Sequence, residues 1–203
     1  MSTLCSCPNP DNLATIPDFD CPIDFKEVAK IIISRQRVFQ SAIQPPTVAL
    51  LNTLSEWTAT LAAVDDTKTL VTPQVDDFEA APGEPITEEL TIRNVVTGLD
   101  DTTITSFMAG APGETIAAFK QLTCEKILYV MFITNDGAIV HALNGTEPEG
   151  FKVSNNSFFM QDIEMIKRTI NKNRFGFMLE AGWSNAAIAT PITGFDALTD
   201  ITN

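Results

Sequence analysis

The feature that most constrains the fold is a pair of apolar runs separated by an Asn-Asp-Gly turn. The runs KILYVMFIT and AIVHAL flank residues 135–137. Asp-Gly between two β-rich runs predicts a hairpin, because both residues tolerate the positive φ of a tight turn. Further along, Phe175, Phe177 and Leu179 recur at every second position, as in a strand with one buried face. The chain is therefore predicted to be organised around strands.

Two more strands and two helices are predicted from local patterns. The β-branched run EVAKIIISR (27–35) and the segment KTLVTPQV (68–75) indicate short strands. Residues 47–64 carry apolar side chains at spacings of three or four, which predicts a helix, and residues 114–122 predict a second. Such a stripe indicates packing against a sheet. The alternative is a contact with a neighbouring subunit, with Trp57 at its centre.

Residues 102–113 are predicted to form a loop of small side chains, and the acidic span that precedes them is also rich in loops. Proline and acidic residues at both ends suggest extended arms around one domain. The predicted boundaries are an N-terminal arm (1–26), a β-rich core (27–183) and a C-terminal arm (184–203). The apolar residues expected to anchor these arms on neighbouring subunits are Leu13, Ile16, Phe19, Ile192, Phe195 and Leu198.

The chain is strongly acidic, with 26 acidic against 13 basic residues and a net charge of −13. This charge argues against a nucleic-acid grip, which needs a basic surface to neutralise phosphates. Between residues 65 and 101, ten acidic residues face only Lys68 and Arg93. The span is either a solvated face or a negative rim or lumen lining. The residues proposed for that lining are Asp76, Asp77, Glu79, Glu84, Glu88 and Glu89.

One basic cluster stands against this acidic background, around the sequence KRTINKNR. It is either a charged hairpin tip or a docking patch for the acidic span of another copy, as in a head-to-tail assembly. Its members are Lys167, Arg168, Lys172 and Arg174.

No catalytic, cofactor or metal site is predicted. His141 is the single histidine and is expected to be structural, and the sequence has no nucleophile elbow, Walker loop or dinucleotide fingerprint. Cys5, Cys7 and Cys21 are spaced poorly for zinc, so reduced thiols are the favoured reading. Cys124 is expected to be buried. No apolar run reaches the about 20 residues of a membrane span, and the start does not resemble a signal peptide.

Several segments, in order, resemble a family of tail tube (major tail) proteins from tailed phages of Bacteroidetes-type hosts. They are DFDCPIDFKEVAKIIISRQ, LSEWTATLAAVDDTKTLVTP, an APGE loop, a helix before KILYVMFITNDGAIV, and a final strand ending in Trp183. The resemblance covers most of the chain.

The resemblance implies an α+β, sheet-dominated fold: an antiparallel β-sandwich or barrel-like core with one or two flanking helices. It further implies a virion subunit, assembled in the host cytoplasm, whose copies form rings, usually sixfold, that stack into a tube. DNA would pass through the tube without being bound specifically, and the ends of the tube would meet other tail or connector proteins. No cofactor or membrane is expected.

Three alternatives remain open from the residues. The first is a capsid-decorating or head–tail joining protein, which would form a single ring or stay monomeric. The second is a receptor- or carbohydrate-binding module, although the aromatic residues are mainly Phe. An enzyme is the weakest alternative, since no catalytic group is evident.

Overall fold

The described residues form two packed antiparallel sheets, a separate hairpin and three short α-helices. The computed structural model describes residues 28–39, 46–90, 93–161 and 172–202. The strands are β1 (Val28–Ser34), β2 (Thr69–Val71), β3 (Asp76–Ala81), β4 (Pro85–Leu90), β5 (Arg93–Leu99), β6 (Thr102–Ala109), β7 (Tyr129–Thr134), β8 (Ile139–Asn144), β9 (Glu147–Glu149), β10 (Phe151–Lys152), β11 (Phe159–Met160), β12 (Lys172–Leu179) and β13 (Ala187–Thr190). The helices are α1 (Leu54–Ala62), α2 (Gly113–Leu122) and α3 (Ala197–Asp200), with 3-10 helices at Val48–Asn52 and Trp183–Ala186.

The larger sheet, named here the central sheet, has the strand order β13-β8-β7-β1-β2, with β10 beside β7 and β9 beside β8. The predicted first strand and the predicted hairpin are both confirmed as β1 and as β7–β8. The turn differs in detail, because only Gly137 has a positive φ, of 81°. Asp136 instead accepts hydrogen bonds from the Thr134 hydroxyl and the Ala138 N–H, which fixes the turn through its carboxylate.

The smaller sheet, named here the outer sheet, has the order β11-β12-β6-β3. The predicted alternation in β12 is confirmed, since Phe175, Phe177 and Leu179 are each 0% exposed. The predicted loop over 102–113 is wrong, because β6 occupies most of it as a central strand. Its sequence TTITSFMA is β-branched and alternates, and pairing with two neighbours outweighs its small polar side chains.

Two apolar clusters cover the two faces of the central sheet. One lies between the sheets, where Phe132 and Phe151 of the central sheet meet Phe175 and Phe177 of the outer sheet. Helix α2 contributes Phe119 to this cluster. The second cluster lies on the opposite face of the central sheet, beneath α1 and the C-terminal segment 191–202. Among the described residues, the central sheet is therefore covered on both faces and the outer sheet on one.

The first predicted helix is shorter than expected, while the second agrees with α2. Thr53 is extended (φ −112°, ψ 100°) and separates a 3-10 helix from α1, so the apolar stripe over 47–64 is not continuous. Leu51 and Trp57 of the stripe are fully buried, whereas Val64 is 99% exposed. The stripe therefore packs on the central sheet only in its middle.

The coarse fold prediction of a sheet-dominated α+β domain with flanking helices is confirmed. Within the described residues the sheets do not close into a barrel: the outer sheet ends at β3 and β11, and the central sheet at β2 and β13. The β4–β5 hairpin pairs only with itself among the described strands. These unpaired edges and the separate hairpin are the features on which the candidate site is built.

Candidate assembly surface

One face of the outer sheet is left uncovered by the other helices and strands that the structure describes, and we call it the open face. Pairing register places Thr103 and Phe107 of β6 on this face, together with Arg174 and Met178 of β12 and Glu79 of β3. These side chains are partly or fully exposed. The face therefore mixes threonine, aromatic, cationic and acidic side chains.

A cation–aromatic patch stands at one end of this face. Lys172 Nζ lies 5.6 Å and the Arg174 guanidinium carbon 5.9 Å from the centre of the Phe107 ring. Lys172 also forms an ion pair with Asp77 at 3.1 Å. Arg174 forms no ion pair with a described residue. Its guanidinium group lies over the Phe107 ring, which is the geometry of an exposed cation–π contact. We call Phe107, Lys172 and Arg174 the basic patch.

The acidic edge strand β3 borders the open face. Asp76 and Glu79 pair with Phe107 and Thr105 across a bulge at Asp77, which has φ 51°. Charged residues and a bulge on an edge strand discourage indiscriminate strand pairing. Of the six residues proposed as an acidic lining, three therefore lie on β3, Glu84 precedes β4, and Glu88 and Glu89 belong to β4.

The hairpin base forms a groove at the other end of the open face. The apolar side chains Ile86, Leu99 and Met178 line it and are 45%, 55% and 40% exposed. Glu84 and Asp100 line it as well. We call this concavity of about 570 Å³ the hairpin groove.

The hairpin leaves the sheet through a close backbone contact. A Cβ on Gly83 would lie 2.0 Å from the carbonyl oxygen of Asp100, so only glycine fits. The Asp100 N–H donates to the Glu84 carbonyl at 2.9 Å, and this hydrogen bond pairs the two arms of the hairpin directly beyond the contact. Asp101 follows, and its carboxylate accepts hydrogen bonds from the Ser154 hydroxyl and the Ala181 N–H. The base of the hairpin is therefore fixed in direction.

Several predicted subunit contacts belong to the protein's own core. Trp57 is 0% exposed and its indole N–H donates to the Leu51 carbonyl, so the prediction of a surface contact there is wrong for this fold. A large aromatic ring beside a sheet gains more from complete burial than from a half-exposed position. Ile192, Phe195 and Leu198 are half-buried against the second apolar cluster. Their use between copies stays a prediction.

A buried lysine anchors that C-terminal segment. Lys30 of β1 donates from Nζ to the carbonyl oxygens of Leu198 at 2.6 Å and Ile201 at 3.1 Å. Burial lowers the pKa of the Lys30 ammonium, and the nearby Asp196 carboxylate acts in the opposite direction. The ammonium therefore satisfies carbonyls at the end of α3 that the short helix leaves free.

The remaining predicted contacts, Leu13, Ile16, Phe19, Lys167 and Arg168, lie outside the described residues. So do Cys5, Cys7 and Cys21.

His141, the chain's single histidine, is a buried side chain of β8. His141 is 0% exposed, with its ring nitrogens 2.7 Å from the Ala142 carbonyl oxygen and 2.9 Å from the Thr190 hydroxyl. Burial lowers its pKa, and the hydrogen bond to Ala142 acts against that shift. Cys124, predicted to be buried, is exposed, because it follows the last turn of α2. In the part of the chain that the structure describes, no group of three or more His, Cys, Asp or Glu could hold a metal.

A second concavity lies beside strands β7 and β10 of the central sheet. Tyr129 and Trp183 line a cleft of about 390 Å³ together with two ion pairs. Arg37 Nε lies 2.8 Å from the buried Glu149 carboxylate, and Lys152 pairs with Glu180. The chain's single tyrosine and one of its two tryptophans thus meet in one place.

No family model matches the sequence, and no characterised protein matches it. Among the described residues, no helix is both long and apolar enough to cross a membrane.

Sequence patterns identified part of this surface and missed the rest. Lys172 and Arg174 belong to the cluster predicted to be either a charged hairpin tip or a docking patch, but the Phe107 ring beneath them lies in a segment predicted to be a loop. The alternation of Ile104 and Met108 with polar residues was the available signal for β6. The hairpin groove had no local signal, because Ile86 and Met178 are far apart in sequence.

Proposed function

We propose that the protein is a tail tube subunit of a tailed phage, whose copies assemble into stacked rings around a channel for DNA. The observation that carries the proposal is the outer sheet, which has one open face and two edge strands that pair with no further described strand. An incomplete sheet of this kind is a template for continuation by another chain.

The direction of the strands supports a ring in particular. All neighbours in the outer sheet are antiparallel, so with four strands the two edges β3 and β11 run in opposite directions. A copy rotated about an axis along the strands would set its β11 antiparallel to the β3 of its neighbour. Such a head-to-tail contact repeats around a closed ring and leaves the open faces directed to its centre.

The hairpin supplies a second support. A two-stranded hairpin is at best marginally stable alone in water, yet this one exposes Ile86, Val96 and Leu99. Exposed apolar side chains on a projecting element are typical of a surface that is covered in an assembly. The net charge of −13 is suited to a wall that DNA passes without adhering.

The test is electron microscopy of the purified protein in negative stain, with its mass from light scattering on the same sample. Rings or tubes with a central hole are expected. A variant with residues 86–98 replaced by Asn-Gly should remain a folded monomer and form no tubes, since neither apolar cluster contains a hairpin side chain that the structure describes. A compact closed dimer of the intact protein would refute the proposal. A single ring that never stacks would favour a decorating or head–tail joining protein.

A binding module is the second candidate, and the Tyr129–Trp183 cleft is the observation that favours it. Aromatic faces beside charged and planar side chains are the usual elements of a saccharide subsite. Screening the intact protein against immobilised glycans tests this candidate. Binding that is lost in Trp183→Ala but kept in the exposed control Met178→Ala would support it.

A further inference from the structure

Opposite features occupy the two ends of the open face. The basic patch is at the start of β12, and the hairpin groove includes Met178 near the end of the same strand. Arg174 and Met178 lie on one face because they are four residues apart, which separates them by about 13 Å. The two ends of the open face therefore differ in chemistry, with the basic patch at one end and the hairpin groove at the other.

The hairpin groove combines exposed acidic side chains with exposed apolar ones. Glu84 and Asp100 form no ion pair with a described residue. The apolar ones are Ile86, Leu99 and Met178, which account for three of the eight large apolar side chains that the described residues expose. A ligand for this groove needs an apolar body and a positive charge at its edge.

The basic patch has those two properties. Its Phe107 ring is the apolar body, and the Arg174 guanidinium on that ring is a cation with no described ion-pair partner. Lys172 is already paired with Asp77, so Arg174 carries the free positive charge. Arginine and aromatic side chains are frequent at the centres of protein interfaces. The planar guanidinium group of arginine can form bidentate hydrogen bonds with a carboxylate.

We propose that a second copy of this chain docks head-to-tail on the hairpin groove through its basic patch. The Phe107 ring of one copy covers the apolar side chains in the groove of the other, and its Arg174 pairs with Glu84 and Asp100. The inference rests on the proposed function, because it supplies a contact that repeats along the tube axis. Since the two surfaces differ and lie at opposite ends of one face, the contact propagates from copy to copy instead of closing as a dimer.

The first test is a charge reversal with rescue, measured by sedimentation velocity at matched concentrations. Arg174→Glu is expected to weaken association at least about tenfold, and so is the double variant Glu84→Lys with Asp100→Lys. Combining all three substitutions in one chain restores the complementary charges and should recover association. Lys126→Glu is the matched control, because that lysine is exposed and lies away from the open face. Thermal melting confirms that each variant is folded.

The second test locates the contact independently of affinity. A photoreactive benzoylphenylalanine at position 99, mixed with isotope-labelled protein, should crosslink to a labelled peptide that contains Phe107 or Arg174. A crosslink between two hairpins would overturn the proposal, and so would an Arg174→Glu variant that assembles like the parent. That last result would leave the tube proposal intact, whereas an intact protein that never associates would refute both.

Discussion

Substituting Gly83 by alanine tests whether the fixed hairpin base matters for assembly. The new Cβ would lie 2.0 Å from the Asp100 carbonyl oxygen and 2.3 Å from its carbon, both backbone atoms that no rotamer change can move. To reach an ordinary contact distance of about 3.4 Å, the backbone at position 83 and the backbone of Asp100 must separate by more than about 1 Å. The neighbouring 2.9 Å hydrogen bond from Asp100 N–H to Glu84 O would then be lost.

The expected cost is confined to the hairpin. Losing that hydrogen bond and shifting the backbone should destabilise the hairpin base by about 1–3 kcal/mol. Because the two apolar clusters contain none of the hairpin side chains that the structure describes, the free energy of global unfolding should change little. The groove would open, since Ile86 and Leu99 lie directly beyond this base. Association between copies should therefore weaken while the monomer stays folded.

Hydrogen–deuterium exchange measures this effect directly. Amides of residues 84–100 should exchange about 5–150 times faster in Gly83→Ala, which corresponds to the same 1–3 kcal/mol. Gly98→Ala is the matched control in the same hairpin, because its Cβ would be 3.7 Å from Ile86 Cδ1, an ordinary contact. Equal exchange and equal association in the two variants would refute the reasoning.

Three further predictions concern the core and its anchors. Trp57→Ala should lower the free energy of unfolding by about 3–5 kcal/mol in denaturant titration, while Leu54→Ala, at 37% exposure in the same helix, should cost less than about 1 kcal/mol. Because burial lowers the Lys30 pKa, the unfolded chain binds more protons above the folded pKa. The free energy of unfolding should then rise with pH through that pKa towards the ordinary value of 10.5, and Lys30→Met should lack this rise; matching pH profiles would contradict it. Asp101→Ala should cost about 1–3 kcal/mol through the two hydrogen bonds its carboxylate accepts, whereas Asp100→Ala should be nearly neutral in the isolated monomer.

Local patterns predicted the elements whose burial follows their own sequence. The predictions of strand β1, of the β7–β8 hairpin, of the alternation in β12 and of helix α2 are confirmed. The errors came where small or polar side chains are held in strands by their neighbours. β3 and β6 have weak apolar patterns, and pairing across the outer sheet decides their conformation.

The sequence by itself determined a sheet-rich, acidic domain with no recognisable catalytic motif, because periodicity, turn residues and composition are local properties. Only the tertiary structure decided which strands are edges, that Trp57 is enclosed, and that Phe107 lies beneath Arg174. It also brought Ile86 and Met178 into one groove. These features depend on pairing between segments far apart in the chain. The free energy of that pairing depends on both segments, so it cannot be inferred from the local sequence of either one.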